Sequence, residues 1–329
     1  MPVLPLPDYK APFWLPGGDA QTMGPRLFCF IPSVPFVREQ VELEDGDFIL
    51  VDWLFASGKK GAPAKKLAVL SHGLEGDSTK SYMRAVALAL NKRGWDVASR
   101  NFRGCGGLMN RLPRIYHSGE IDDLAAVVSL AESRGYETIG LMGFSMGGNQ
   151  VLKYLGERAD TMPSSVVSGA AVSVPCDLAG CSQVLGRPRN KVYMEYFLRT
   201  LRHKMREKHE MYRDLFPLAG LDAIKTFKEF DDRYTAPLGG FENAEDYWKK
   251  GSCLPHLPKI RVPALLVNAK NDPFLSESCY PCKEAKENPN LFLLLPETGG
   301  HVGFPTKWGK TVGWLEETVA DFLEGKGKK

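Results

Sequence analysis

The strongest constraint in the chain is Gly143-Phe144-Ser145-Met146-Gly147. It stands between an apolar run, Ile139 to Met142, and a stretch of helical spacing from Met146 to Arg158. A G-x-S-x-G at such a junction requires a strand to turn abruptly into a helix, with a strained serine at the apex and its hydroxyl at the top of a sheet. Glycine flanks the serine because a side chain there would strike the neighbouring strand or helix. The competing reading is a glycine-rich strand-to-helix turn with an incidental serine. The apolar strand before it and the helix after it favour the sharp turn.

The surrounding chain supplies the sheet that this turn needs. Leu67–Ser71, Trp95–Arg100, Thr138–Gly143 and Val166–Val174 read as short buried strands. Lys80–Arg93, Ile121–Arg134 and Met146–Arg158 read as the helices between them. Such alternation predicts an α/β fold with a mostly parallel central sheet and helices on both faces. Val37–Leu43 and Phe48–Phe55 form a hairpin about Asp45-Gly46, and residues 56–65 read as a polar loop. Residues 1–36 hold Phe13, Trp14, Phe28, Phe30 and Phe36 and are too apolar for a free tail. They read as an arm packed on the core.

After Asp177 the alternation stops. Residues 178–258 contain a basic helical stretch, Lys191–Arg213, another helix around Leu221–Glu229, and no convincing buried strand. Strands resume at Ala264–Ala269 and Leu291–Leu295, and Thr306–Leu323 makes a closing helix. The expected organisation is a core of residues 37–177 and 259–329 with a helical cap, 178–258, inserted before the acid-bearing strand. The cap lies over the carboxyl edge of the sheet, where open α/β sheets bind ligands.

A serine hydroxyl is a poor nucleophile without a base. Among the six histidines, His301 sits in the glycine-rich loop Glu297-Thr-Gly-Gly-His301-Val-Gly-Phe304, after the last strand. Asp272 follows the strand before it and would fix the imidazole tautomer. Asp177, after the preceding strand, is the rival acid. The order Ser145, Asp272, His301 agrees with the elbow. The Leu74 and Met146 N–H groups are the expected oxyanion donors, the second at a helix N-terminus. His72 reads as a brace for its loop rather than a catalytic group, Arg103 reads as a brace with binding of an anionic group as the alternative, and His117 belongs to a helix cap region.

Composition narrows the classes of function. Of 329 residues, 43% are hydrophobic, and a core of that size needs no disulfide or metal for stability. A net charge of +3, partly in the tail Gly325-Lys-Gly-Lys-Lys329, gives no nucleic-acid footprint. Seven scattered cysteines and a start without a basic or apolar leader fit reduced thiols in a cytoplasmic protein. The sequence has no apolar run of the roughly 20 residues that a membrane span needs, while peripheral membrane contact stays open. Cys279-Tyr-Pro-Cys282 could be a redox or zinc pair. Two ordinary thiols at a helix start are favoured, because no second pair follows at finger spacing. No cofactor is expected.

These segments together resemble the YheT-like branch of the α/β hydrolases, which includes animal α/β-hydrolase-domain-containing lipid hydrolases. The resemblance runs over nearly the whole chain. It rests on Trp14-Leu15 through Gln21-Thr22, Ser71-His-Gly-Leu-Glu-Gly76, Asn101-Phe-Arg-Gly-Cys105, Tyr116-His-Ser-Gly119 with Asp123-Leu124, Gly143-Phe-Ser-Met-Gly-Gly-Asn149, Asp272-Pro273 and Gly300-His-Val-Gly-Phe304. Phe230-Asp-Asp-Arg-Tyr-Thr-Ala-Pro237, followed by Gly240-Phe241, also looks like this branch. A departure is Gly18-Asp19-Ala20, where the branch often carries a histidine. The resemblance implies the α/β-hydrolase fold, a Ser145–Asp272–His301 triad and hydrolysis of carboxylic or lipid esters. Thioester cleavage or acyl transfer could use the same triad, and a non-catalytic binding protein on this fold is the alternative of another class. In the cap, Lys191–Arg213 reads as an amphipathic helix with a solvated basic face; the alternative is a basic face that attracts anionic head groups.

Overall fold

A computed structural model of the protein describes residues 3–5, 9–28, 30–58, 64–305 and 312–326. Cys29, residues 59–63 of the polar loop, residues 306–311 of the expected closing helix and the last three residues of the basic tail lie outside the described residues.

Among the described residues the eight strands are β1 Val37–Glu42, β2 Phe48–Leu54, β3 Lys66–Ser71, β4 Asp96–Asn101, β5 Thr138–Phe144, β6 Val166–Val172, β7 Ala264–Val267 and β8 Leu291–Leu294. They form one sheet in the order β1-β2-β4-β3-β5-β6-β7-β8. The β1–β2 and β2–β4 pairs are antiparallel and the rest parallel. The helices are α1 Gly17–Phe28, α2 Ser81–Lys92, α3 Asp122–Ser133, α4 Met146–Glu157, α5 Leu178–Leu185, α6 Lys191–Met211, α7 Phe227–Phe230, α8 Ala236–Gly239, α9 Ala244–Gly251, α10 Cys282–Glu287 and α11 Trp314–Leu323.

Alternation along β3 divides the core into two layers. Leu67 and Val69 face the layer filled by Leu124 and Val128 of α3 and by Val151 and Leu155 of α4. Ala68 and Leu70 face Met83 and Val86 of α2 and Val319 and Phe322 of α11. Parallel strands buried on both faces explain why these segments read as short apolar runs without alternation.

Between β6 and β7 the chain runs through α5 to α9. Two expectations for this segment are corrected. The helix around Leu221–Glu229 is broken: a single turn spans Leu221–Ala223, and α7 begins only at Phe227 under a Thr226–Glu229 capping box. A π-helical turn, Asp231–Thr235, then joins α7 to α8. Nor is the basic face of α6 simply solvated. Lys191, Arg199 and Arg206 are exposed, but Arg202, Lys204 and Lys208 are buried. Lys204 Nζ lies 2.8 Å from Glu75 Oε1, and Lys208 Nζ donates to the Asn110 carbonyl at 2.9 Å. These cations hold α6 onto the loops above β3 and β4. Periodicity could not distinguish them from solvated lysines, because the partners come from distant segments.

Arg103 is the brace the sequence implied. Its buried guanidinium meets Asp123 at 2.7 Å, Asp45 at 2.7 Å and Asp47 at 3.0 Å. It thereby ties the loop after β4 to the β1–β2 turn and the start of α3. Removing one partner of a buried ion cluster leaves charge uncompensated and costs about 3–5 kcal/mol. Arg103→Met is therefore expected to lower the unfolding free energy by about that amount in urea titration. A loss of under about 1 kcal/mol would contradict the bracing role.

Candidate active site

Ser145 stands between β5 and α4 with φ 52° and ψ −120°, a conformation most side chains avoid. The neighbouring backbone leaves it no alternative path. A Cβ on Gly143 would fall 2.2 Å from the Gly147 carbonyl oxygen, and one on Gly147 2.4 Å from the carbonyl oxygens of Ser71 and His72. The strained position is fastened by a hydrogen bond from Ser145 N–H to the Val172 carbonyl at 2.8 Å. Besides Ser145, the non-glycine residues at positive φ among the described residues are Glu75, Ser173, Val302 and Phe304. They lie in the loops after β3, β6 and β8, and strain of this kind collects where a site over-determines its backbone.

The structure brings Ser145, Asp272 and His301 together. His301 Nε2 lies 2.9 Å from Ser145 Oγ, and His301 Nδ1 lies 2.8 Å from Asp272 Oδ2. Asp272 is buried, and its second oxygen accepts the Phe274 N–H at 2.9 Å. The carboxylate thus orients the ring with Nδ1 as donor and leaves Nε2 to accept from the serine. Asp177, the rival acid, is elsewhere. It caps α5 by accepting the Gly180 N–H and takes a hydrogen bond from Ser278 Oγ at 2.7 Å.

The loop after β3 closes against the serine. A Cβ on Gly73 would lie 3.2 Å from Ser145 Cβ. Glu75 N–H donates to Tyr116 Oη and Gly73 N–H to Tyr82 Oη. The intervening Leu74 N–H, like that of Met146 at the first position of α4, is engaged in no described hydrogen bond to a protein acceptor. His72 braces this loop. Its Nε2 accepts the Phe102 N–H at 3.1 Å, which fixes Nδ1 as the donor to the Gly73 carbonyl at 2.7 Å. Burial pushes the imidazole down to about 3, so it stays neutral. Burial does the same to His117, also to about 3.

Helix α1 contributes residues that the sequence reading left without a role. Gln21 of α1 is buried, and its Oε1 accepts from Gly299 N–H at 2.8 Å and from Asn271 Nδ2 at 2.9 Å. Thr22 Oγ1 accepts the His301 N–H at 2.9 Å. One helix therefore links the loops that carry Asp272 and His301. The approach is close, since a Cβ on Gly303 would fall 1.8 Å from the Gln21 carbonyl oxygen and one on Gly18 1.9 Å from that of Asn271. The only signal in the sequence was the Gln21-Thr22 pair within the resemblance.

Two cavities meet at Ser145 and His301, sharing Leu74, Phe197 and Phe274. One runs between α1, α2 and α6, past Met23, Ile31, Tyr82, Tyr193 and Tyr196. The other lies beneath α5 to α9, past Leu178, Leu201, Phe227, Phe230 and Trp248, with Asp231 as an acidic residue in its wall. Asp231 accepts from Trp248 Nε1 at 2.9 Å, and burial pushes its carboxyl up to about 7. Cys279 and Cys282 do not act as a pair. Cys279 Sγ lies 3.3 Å from Cys181 Sγ in the core, while Cys282 begins α10. Among the described residues, no three His, Cys, Asp or Glu side chains are grouped to hold a metal.

The strand order and the strand-to-helix turn at Ser145 are those of an α/β-hydrolase fold. Residues 68–307 match the family model described as alpha/beta hydrolase fold, and the chain belongs to that family. Within it the chain belongs to the YheT-like branch. It is 35% identical over 310 residues to the Escherichia coli (strain K12) protein named "Putative esterase YheT", covering 92% of this chain and 89% of that one. It is 29% identical over 323 residues to "Phospholipase ABHD3" of Mus musculus, covering 96% and 78%. The Pyrococcus furiosus esterase Pf2001 structure has the same fold, with TM-score 0.59, 18% identity and coverage of 98% and 97%.

The buried histidines make stability depend on pH. The unfolded chain takes up protons on His72 and His117 as pH falls through the ordinary 6.5, while the folded chain resists until about 3. Their contribution is therefore complete above about 6.5 and is lost progressively as pH falls below it. Asp231 acts in the opposite sense, so the test is a difference. The urea midpoint should fall less between about pH 7 and pH 5 in a His72→Asn, His117→Asn double variant than in wild type. Equal slopes would contradict the buried neutral imidazoles.

Proposed function

We propose that this protein is a serine hydrolase that cleaves carboxylic esters, carboxylesterase- or lipase-like, through an acyl-enzyme on Ser145. The observation that carries the reading is the pair of contacts made by His301, to Ser145 Oγ at 2.9 Å and to Asp272 Oδ2 at 2.8 Å, at the junction of two apolar chambers.

In this mechanism His301 Nε2 takes the Ser145 proton as the oxygen attacks the ester carbonyl. Asp272 holds the ring in the useful tautomer and stabilises the imidazolium without taking its proton. The Leu74 and Met146 N–H groups receive the oxyanion, the second aided by the positive end of α4. His301 then protonates the departing alkoxide. Water, activated by the same imidazole, attacks the acyl-enzyme and frees the acid and Ser145. The two chambers suit the two halves of an ester, the acyl chain beneath residues 178–258 as a helical cap and the alcohol portion between α1, α2 and α6. The named activities of the relatives, esterase and phospholipase, agree with an ester of apolar acyl groups. Among the described residues no helix is long and apolar enough to cross a membrane.

A graded series of p-nitrophenyl esters tests the assignments. Ser145→Ala should remove activity by on the order of 10⁴–10⁶, with the fold retained by circular dichroism. Asp272→Asn should lower kcat by on the order of 10⁴, because the amide favours the wrong His301 tautomer. Asp177→Asn, which alters a helix cap and a hydrogen bond from Ser278 Oγ away from His301, should change kcat by less than about tenfold. A folded, active Ser145→Ala protein would remove the nucleophile assignment, and the reverse ranking of the two aspartates would move the acid.

A further inference from the structure

Helix α1 is amphipathic in the reverse of the ordinary sense. A surface helix usually buries its apolar stripe and shows water its polar one. Here Gln21 is buried and Thr22 is turned to the His301 backbone. The residues it shows to solvent include apolar Met23 and Leu27 beside Asp19, with Phe13 and Trp14 just before the helix and Phe30 just after it. Phe13 is 95% exposed, Leu27 71% and Phe30 85%. The start of α6 adds Val192, 77% exposed, and Tyr196, one turn along the same face. The two helices adjoin, because Asp19 of α1 meets Arg189 at 3.0 Å and Tyr193 Oη at 3.1 Å. Most of the exposed large apolar side chains of the described residues lie on these two segments.

This surface surrounds a particular opening. Met23, Ile31, Tyr193 and Tyr196 line the cavity that leads to Ser145. Its flank carries exposed Arg187 and Lys191 on either side of the Arg189–Asp19 ion pair. The nearby acids are already engaged, Asp19 by Arg189 and Glu195 by Arg202. An apolar rim with a cationic border complements a lipid–water interface, in which apolar side chains enter the acyl boundary and cations meet anionic head groups.

We propose that the outer face of α1, with the start of α6, docks this protein on an anionic lipid surface. Docked in this way, the mouth between α1 and α6 faces the lipid, and an ester molecule reaches Ser145 without crossing water. The proposal deepens the esterase reading in naming where the substrate comes from. Its binding readout, however, does not depend on hydrolysis.

The test is flotation of the full chain with vesicles of phosphatidylcholine and phosphatidylglycerol, about 4:1, alongside pure phosphatidylcholine. Leu27→Asp with Phe30→Asp places charge on the rim without touching the cavity lining. Wild type and Ser145→Ala should float with the mixed vesicles, and the double variant should bind roughly tenfold or more weakly. Loss of binding in about 0.5 M salt would mark the cationic border. On a soluble p-nitrophenyl acetate the double variant should keep wild-type activity, and the same changes at distant exposed Val167 and Leu215 should leave flotation unaltered. Absence of wild-type flotation, or equal flotation of the double variant, would overturn the proposal. So would a wild-type dimer in sedimentation velocity that the double variant dissolves, since the face would then meet a second copy of the chain. Flotation with no esterase activity would count against the esterase reading alone.

Discussion

The site depends on one backbone constraint, the turn at Ser145. A non-glycine residue at φ 52° sits in a costly region of conformational space, and it persists only because the surroundings permit no relaxation. Those surroundings are specific: Gly143 and Gly147 lie where any Cβ would strike backbone, and the Val172 carbonyl holds the serine N–H. The strain comes from the junction of two ordinary elements, a parallel strand in the centre of the sheet and a helix packed across it. The serine hydroxyl accordingly emerges where the loops after β3, β7 and β8 converge. Without that convergence Asp272 and His301 would be a distant acid and an unrelated surface histidine.

The loops are not left to hold themselves. Buried, neutral His72 joins the loop after β3 to the start of the next at Phe102, and Arg103 anchors that second loop to three carboxylates. Lys204 reaches down from α6 to Glu75, next to the candidate oxyanion donor Leu74. Gln21 and Thr22 do the same for the acid and histidine loops from the other side. Helices α1 and α6 thus each fasten part of the site, and both border the opening to it. Orientation of catalytic groups is worth several kcal/mol of barrier only if such supports keep their geometry.

Much of this was legible in the sequence, for identifiable reasons. The sheet could be read because parallel strands buried on both faces are near-continuous apolar runs separated by helical spacing. The serine, aspartate and histidine could be picked out because each follows a strand end in the chain order that the elbow imposes. What escaped was set by contacts between segments far apart in sequence. Lys204 and Lys208 looked like solvated cations, since nothing local announces Glu75 or the Asn110 carbonyl as their partners. The break after Leu221 escaped because a short apolar stretch does not reveal whether one turn or three will form. Gln21 carried no local signal of a role, because its partners lie 250 and 278 residues away.

The central claim is that His301, held by Asp272, makes Ser145 a nucleophile. The most direct measurement is the site of reaction with a fluorophosphonate, which reacts readily with a serine activated in this way. Intact mass spectrometry should find one phosphonyl group per chain. Peptide mapping should place it on Ser145, with Asp272→Asn reacting on the order of 10³–10⁴ more slowly. A folded wild-type protein that stays unlabelled, or carries the label on another residue, would contradict the account.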